Sequence, residues 1–449
     1  PLPGVQLELV VGSLNIAAAL GGIVTGMIAD AKGRRWTITL ANLLFLTGSL
    51  FLTMARGFTA LLIGRILMGL GVGIALVAAP IFTAEISPAH MRGSLVAMSD
   101  VSINAGILLG YSVGIDFYGI EGGWRYMFAI GMLPAGLLSL LIWTVPESAR
   151  WLLMQDRYDE ARDALRLIGD EEYAEKEMLA IRKAMRRDYK AGRASWWEIF
   201  SPTDEATRRM LVAGLGLAFF SQACGTEAVT YYIPRVMANA GLNKYQSLQA
   251  TMAAGASKVL FLLISSQLFD RVGRRPMLLL SAIGLAASFG SVSLSYVTDS
   301  WTLTIAGICG IMGSFSLGFS PLVYVVGTEV FPNRLRAKAM SLALFITRIL
   351  AGVVAISFIT LEHLLGQTLL WFSFCCIALS AMIFIFFNVP ETNGLELEDV
   401  ADAFRKGDIS GVKESVNKLQ AAVAPSFSRK VDPTLDDGDS KVIPLLVTK

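Results

Sequence analysis

Asp30-Ala31-Lys32-Gly33-Arg34-Arg35 and Asp270-Arg271-Val272-Gly273-Arg274-Arg275 are two copies of one element, and the reading of that pair decides the fold. Each copy closes one apolar stretch and opens the next. A second element follows each copy at a similar offset: Glu85-x-x-Pro88-x-x-x-Arg92 after the first, Glu329-x-x-Pro332-x-x-x-Arg336 after the second. Two elements recurring in the same order imply a chain made of two related halves.

Working outward, a bilayer-crossing helix needs about 20 mostly apolar residues. Eleven such windows occur, at 10–29, 37–55, 58–83, 94–115, 126–145, 210–236, 248–269, 277–297, 301–327, 339–364 and 368–389. Of the 449 residues 54% are hydrophobic and 16% charged. Soluble domains carry about 25% charged residues, so the composition excludes a water-soluble protein. Lys32, Arg34, Arg35, Arg92, the basic residues of 150–209, Arg271, Arg274, Arg275, Arg334, Arg336 and Lys338 fall on one side of these spans. The opposite loops hold Arg56, Arg125, Arg235 and Lys244, so the basic face is the cytoplasmic one. Both repeat elements then lie on that face, which makes the halves parallel repeats about an axis along the membrane normal.

The expected organisation is a bundle of five spans over 1–145, a cytoplasmic helical linker over 146–209, a bundle of six over 210–389, and a polar, largely disordered tail over 390–449. A duplicated bundle should have equal halves. The simplest expectation is therefore that one N-terminal span is absent from this chain. A net charge of +2 points to no nucleic-acid partner. Cys224, Cys309, Cys375 and Cys376 form no CxxC pair, and with only His90 and His363 beside them neither a metal site nor a disulfide framework is suggested. No cofactor is implied, and no nucleophile and base constellation marks an enzyme.

Charges at the bilayer centre cost roughly 2.5 to 3.5 kcal/mol each on insertion scales, so those inside the spans are functional candidates. Arg65 opens a run with Gly69, Gly71 and Gly73, glycines that let another helix approach closely. Asp100 and Asn104 stand four apart, on one helix face. Glu227 follows Gly225, Lys258 lies in the next span, and Arg348 interrupts another. One reading is structural ion pairing. The other places Asp100, Glu227 and Lys258 in a water-accessible cavity, where carboxylate and ammonium bond the hydroxyls of a solute and a carboxylate carries a proton. Tyr231, Tyr232 and Tyr324 could stack on a sugar while offering hydroxyls. On the basic face, Glu85 and Glu329 engaging arginines of their own half would hold helix ends together in one state and loosen in another. A mere topology determinant is the rival reading, and recurrence in both halves weighs against it.

The motifs GMIADAKGRR, GRILMGLGVG, AEISPAHMRG, GGWRYMFAIG, PESARWLLMQ, DRVGRRP, TEVFPNRLRA and PETNG jointly resemble the sugar porters of the major facilitator superfamily, over nearly the whole chain to about Val400. The stretches SDVSINAGILLGY and FFSQACGTEAVTYY look most like plant-type polyol and monosaccharide transporters. The resemblance implies an all-α membrane protein of two pseudo-symmetric helix bundles, with eleven of twelve helices in this chain and both termini of the whole fold cytoplasmic. It implies a solute site between the halves, with Asp100, Gln222 and Glu227 in contact, Lys258 and Tyr324 close by, and Asn104, Tyr231 and Thr347 in the same set. It also implies proton coupling through Arg65, Asp100 and Glu227. The cytoplasmic salt-bridge set would be Asp30, Arg34, Arg35, Glu85, Arg92, Glu147, Arg150, Asp270, Arg274, Arg275, Glu329 and Arg336.

Several positions depart from the pattern. Ser221 replaces the first of two usual glutamines, Tyr324 a common tryptophan and Thr347 a usual asparagine; Glu227 replaces the asparagine of hexose carriers or the shorter aspartate of polyol carriers. In proton-coupled relatives the first helix carries an aspartate opposite the arginine matching Arg65, so here Arg65 is expected to lack that partner. The function implied is secondary transport of a polyol or monosaccharide by alternating access, coupled to protons. A facilitative uniporter and a non-transporting sugar sensor are the alternatives. Sugar or polyol, protons and membrane lipid are the expected partners; the plasma membrane is the expected location, with vacuole and plastid envelope open.

Overall fold

In lipid every backbone N–H and C=O must be satisfied within its own segment, so apolar runs of this length fold as helices. The computed structural model describes residues 3–88, 91–190, 195–202, 204–332, 334–393 and Phe404. They belong to one unit, Pro1–Ile409; a second, Ser410–Lys449, lies outside the described residues, as does the expected tail apart from 390–393 and Phe404. All regular structure among the described residues is helical.

The first group of helices is α1 (Gly4–Lys32), α2 (Arg34–Thr53), α3 (Phe58–Ile86), α4 (Arg92–Asp116) and α5 (Gly123–Leu141). Four short helices follow: α6 (Ala149–Met154), α7 (Tyr158–Arg166), α8 (Glu171–Lys190) and α9 (Trp197–Phe200). The second group is α10 (Glu205–Ala223), α11 (Thr226–Asn239), α12 (Lys244–Val272), α13 (Arg274–Val297), α14 (Trp301–Leu317), α15 (Phe319–Val330) and α16 (Arg336–Asn388). Ten helical stretches are long and apolar enough to cross a membrane, with α10 and α11 forming one of them and α14 and α15 another. The 53 residues of α16 would extend about 80 Å, far beyond one hydrocarbon core of about 30 Å. Gly366 breaks it at φ 75°, ψ 166°, giving two arms and eleven crossings among the described residues.

Close approach of small residues sets the packing, as expected where lipid provides no hydrophobic drive between helices. A Cβ on Gly69 would lie 2.4 Å from the Leu14 carbonyl oxygen of α1, and one on Gly73 2.0 Å from that of Ala18. Gly71, on another face of α3, meets Ala41 of α2 in the same way. The breaks in the paired helices are satisfied locally. At Gly318, Ser265 donates to the Leu317 carbonyl and the Phe319 N–H donates to Ser281 Oγ.

Helices α6 to α8 build a small core of their own from Trp151, Leu152, Leu153, Leu165 and Met178. Arg166 pairs with Glu171 across the α7 to α8 turn, and that contact holds the Glu171 carboxyl below its ordinary value. The two groups of spans meet along two seams, α1 against the first arm of α16 and α4 against α12. In the first seam, Gly12 packs on Gly352 and Ile356. In the second, Tyr111 packs on Gly255 and donates its hydroxyl to the Thr230 carbonyl of α11.

Candidate functional site

The break between α10 and α11 places the central charge. Gly225 sits at φ 77°, in the left-handed region, and a Cβ there would lie 2.4 Å from the Phe374 ring, so only glycine fits. Gln222 and Thr226 flank the turn with Glu227, and the buried Gln222 Oε1 and Thr226 Oγ1 have no protein partner. Arg348 Nη1 of α16 stands 3.7 Å from Glu227 Oε1, and Tyr231, one turn along α11, donates to the same oxygen at 3.0 Å. Tyr324 of α15 hydrogen-bonds Arg348, while Lys258 of α12 lies within electrostatic range of both Glu227 and Arg348.

Among the described residues, one of the first group hydrogen-bonds into this centre, with Tyr111 and Arg65 within electrostatic range of it. Asn15 of α1, 1% exposed, donates from Nδ2 to the Tyr231 hydroxyl at 3.1 Å and accepts from Arg348 Nη1 at 3.5 Å. The Glu227 and Arg348 side chains keep 21% and 15% of their surface, so the pair is reachable rather than sealed. The arrangement presents a carboxylate, a guanidinium, an ammonium and two phenols around one space, a donor and acceptor set suited to hydroxyl groups.

Among the described residues, the other sequence candidates make no hydrogen bond or ion pair to this centre. Asn104 donates to the backbone carbonyl of Asp100, not to its carboxylate, and Asn104 Oδ1 has no protein partner. Asp100 itself is half-buried and makes no ion pair among the described residues. The Arg65 guanidinium lies over Phe128, 5.6 Å from the ring centroid, within electrostatic range of Tyr231, and its Nε has no protein partner. Thr347, 1% exposed, turns back onto the Leu344 carbonyl of its own helix. Tyr232 stacks on Phe358 at 4.9 Å and donates to the Ala355 carbonyl, a packing arrangement.

On the basic face two clusters repeat each other. In the first, Arg34 bonds Glu85 through Nε at 2.8 Å and Nη2 at 3.0 Å, and reaches Asp30 at 3.2 Å. In the second, Arg274 reaches Glu329 at 3.3 Å and Asn393 Oδ1 at 2.5 Å. Each cluster also has a carboxylate that caps the second helix of the turn. Glu147 accepts from the backbone N–H of Arg34 and of Arg35, both at 3.1 Å; Glu391 accepts from those of Arg274 at 2.9 Å and Arg275 at 3.1 Å.

The outer arginine of each pair is used alike. Arg35 donates to the Trp143 carbonyl and lies over that ring, as Arg275 does with Phe386. The glutamates thus engage the arginines of the glycine turns and not those at the ends of their own motifs. Arg92 pairs with Glu177 of α8 at 3.6 Å, and Arg336 donates to the Phe331 carbonyl. Arg150 is exposed at the start of α6, and the Asp270 side chain lies outside the described residues.

Sequence reasoning passed over Glu391 as a site residue, although Pro146-Glu147-Ser148 and Pro390-Glu391-Thr392 are a third repeated element. It also passed over Asn15 and Glu8. Glu8, 2% exposed in α1, accepts from Thr360 N at 2.7 Å and Thr360 Oγ1 at 2.8 Å across the α16 seam. An acid so near the start of an apolar helix was the available signal.

Apolar crossing helices, interrupted at glycines around a charged, reachable centre, define a membrane carrier. Comparison with known proteins supplies the family. The family model described as "Sugar (and other) transporter" matches residues 3–404. Polyol transporter 5 of Arabidopsis thaliana is 35% identical over 425 residues, 89% of this chain and 79% of that one. D-xylose-proton symporter-like 3, chloroplastic, from the same plant is 33% identical over 428 residues, 90% of this chain and 75% of that one. Among solved structures, the inward-open xylose transporter XylE from E. coli matches with a TM-score of 0.77 at 26% identity, covering 88% of each chain. The chain belongs to the sugar transporter family of the major facilitator superfamily: a multi-pass membrane transporter of the sugar and polyol type, not an enzyme.

Proposed function

We propose that this transporter moves a polyol or monosaccharide by alternating access, in symport with protons, at the centre built around Glu227. The carrying observation is that Glu227 lies at a helix break, within reach of donors from α11 and α16 and within electrostatic range of Lys258 of α12, and is joined through Tyr231 and Arg348 to α1 of the other group. Glu227 accepts from solute hydroxyls, Lys258 and Arg348 donate to them, and Tyr231 and Tyr324 border the ring or chain. Gln222 adds an amide beside the break. Glu227 already has its charge balanced by Arg348. Asp100, with no cation at ion-pair distance among the described residues, is therefore the better seat for the coupling proton, with Asn104 beside it and Arg65 as counter-charge.

In this reading 1–145 and 210–389 rock against each other, 146–209 links them, and the two basic-face clusters tie helix ends within each half. The solute class is supported by relatives named as a polyol transporter and a D-xylose-proton symporter. A plasma-membrane location fits uptake driven by an external proton gradient.

The test is uptake of a labelled panel (inositol, sorbitol, mannitol, xylose, glucose) by cells expressing the full-length protein, with external pH recorded. The expected result is saturable uptake that alkalinises the medium. Uptake without alkalinisation would make the protein a uniporter, and no uptake of any member would defeat the solute class. Glu227→Gln should cut uptake with the protein still in the membrane; normal kinetics would remove Glu227 from the site.

A further inference from the structure

The central side chains form a closed ring, and among the described residues Asn15 is its member from the first group of helices. Asn15 Nδ2 donates to the Tyr231 hydroxyl at 3.1 Å, and Tyr231 donates to Glu227 Oε1 at 3.0 Å. Arg348 Nη1 stands 3.7 Å from that oxygen and completes the ring by donating to Asn15 Oδ1 at 3.5 Å. A phenol has one proton, so Tyr231 gives it to Glu227 and must accept from Asn15, which fixes both ends of the amide.

We infer that Asn15 is a positioning residue that couples occupancy at Glu227 to closure of the α1 to α16 seam: the ring holds the seam shut while the site is empty, and a solute hydroxyl on Glu227 Oε1 releases it. This deepens the proposed function and rests on Glu227 being the solute acceptor. A solute hydroxyl that binds Glu227 Oε1 competes with Tyr231 for it. Once displaced, Tyr231 loses the geometry in which it accepts from Asn15, and α1 loses one of its two bonds to the centre. The other bond, from Arg348, weakens as the guanidinium turns to the solute. Binding energy at the site is thereby spent on the contact between the halves, which is the differential interaction that a population shift requires.

The placement supports the link. Asn15 lies one turn from Gly12, where α1 approaches Gly352 and Ile356 so closely that a Cβ would not fit. A bond lost at Asn15 therefore acts beside this close approach.

The readout is seam opening, reported by a single cysteine at Ile356 in a background without the four native cysteines. Ile356 is half-buried and packs against Gly12 in the structure, so Ile356→Cys reacts slowly with a membrane-impermeant thiol reagent while the seam is closed and faster when it parts. In the empty full-length protein Asn15→Ala should label about 5- to 150-fold faster, the range expected for two hydrogen bonds of ordinary net strength. Saturating solute should bring the wild-type rate up to that of the variant.

Tyr231→Phe, which removes one of the two Asn15 bonds without touching α1, should give a smaller increase, and the double variant should label no faster than Asn15→Ala. Unchanged labelling of both single variants in the empty protein, or additive effects in the double, would overturn the inference. The readout needs no transport. Fast labelling of the empty variants with no response of the wild type to any solute of the panel would uphold the ring as a seam lock and overturn its release by solute, pointing to failure of the solute assignment. A solute response that persists undiminished in Asn15→Ala would overturn the coupling while sparing the proposed function.

Discussion

Thr360→Val tests whether the seam opposite the basic face is held by Glu8. In the structure the Glu8 carboxylate is 2% exposed and takes both its hydrogen bonds from Thr360, through the backbone N–H at 2.7 Å and Oγ1 at 2.8 Å. Valine keeps the branched shape and removes the hydroxyl donor alone. When the seam parts, water serves Glu8 equally in wild type and variant, so the whole loss falls on the closed state. A hydrogen bond to a charged group contributes about 1.5 to 3 kcal/mol net. At 1.4 kcal/mol per tenfold, the open-to-closed ratio rises on the order of 10- to 150-fold. Helix propensity does not compete at this scale, because threonine and valine differ by a few tenths of a kcal/mol at about most. Spin labels at Val5 and Leu364, both exposed and at the outer ends of α1 and the first arm of α16, report the separation by pulsed electron resonance. The variant should gain a second, longer distance, and Thr360→Ser, which keeps the donor, should not. A Thr360→Val distribution superimposable on that of wild type would refute the reasoning.

Two further substitutions probe the backbone positions that the contacts depend on. At Gly12 a Cβ would lie 2.3 Å from Ile356 Cγ1 and 2.8 Å from the Gly352 oxygen, so Gly12→Leu should wedge the seam open and abolish uptake with the protein still in the membrane; wild-type uptake would contradict the close approach. At Gly273, φ is 105° and a Cβ would meet Glu391 Oε2 at 2.5 Å. Gly273→Ala should lower the melting temperature in detergent by several degrees, from about 1 to 3 kcal/mol of backbone strain and lost capping. Gly33→Ala, whose Cβ would meet Glu147 Oε2 at the same distance, should lower it by a similar amount, and a large disparity would deny that the two turns are equivalent.

Much of this was legible because the membrane simplifies the problem. A segment in lipid must be helical, so apolar windows translate directly into spans, and all eleven appear, the last two fused across Gly366. The duplicated glycine turns were visible as strings, and their chemistry follows from residue type: arginine beside glutamate, glycine where φ is positive. What the strings do not encode is which carboxylate meets which arginine. Glu85 stands seven residues before Arg92 in its own motif yet bonds Arg34, because α3 returns its end to the start of α2, and this is a property of packing. The same holds more strongly at the centre. Asn15 and Glu8 are polar residues in a largely apolar helix, and neither bonds a side chain of its own helix. Their partners, Tyr231, Arg348 and Thr360, lie in the other group of helices and become neighbours only when the two groups close. The residues that tie the halves together are thus the ones for which local sequence carries least information. They are also the ones whose bonds must break in a cycle, since a contact within one bundle can persist through a rocking motion and a contact between bundles cannot.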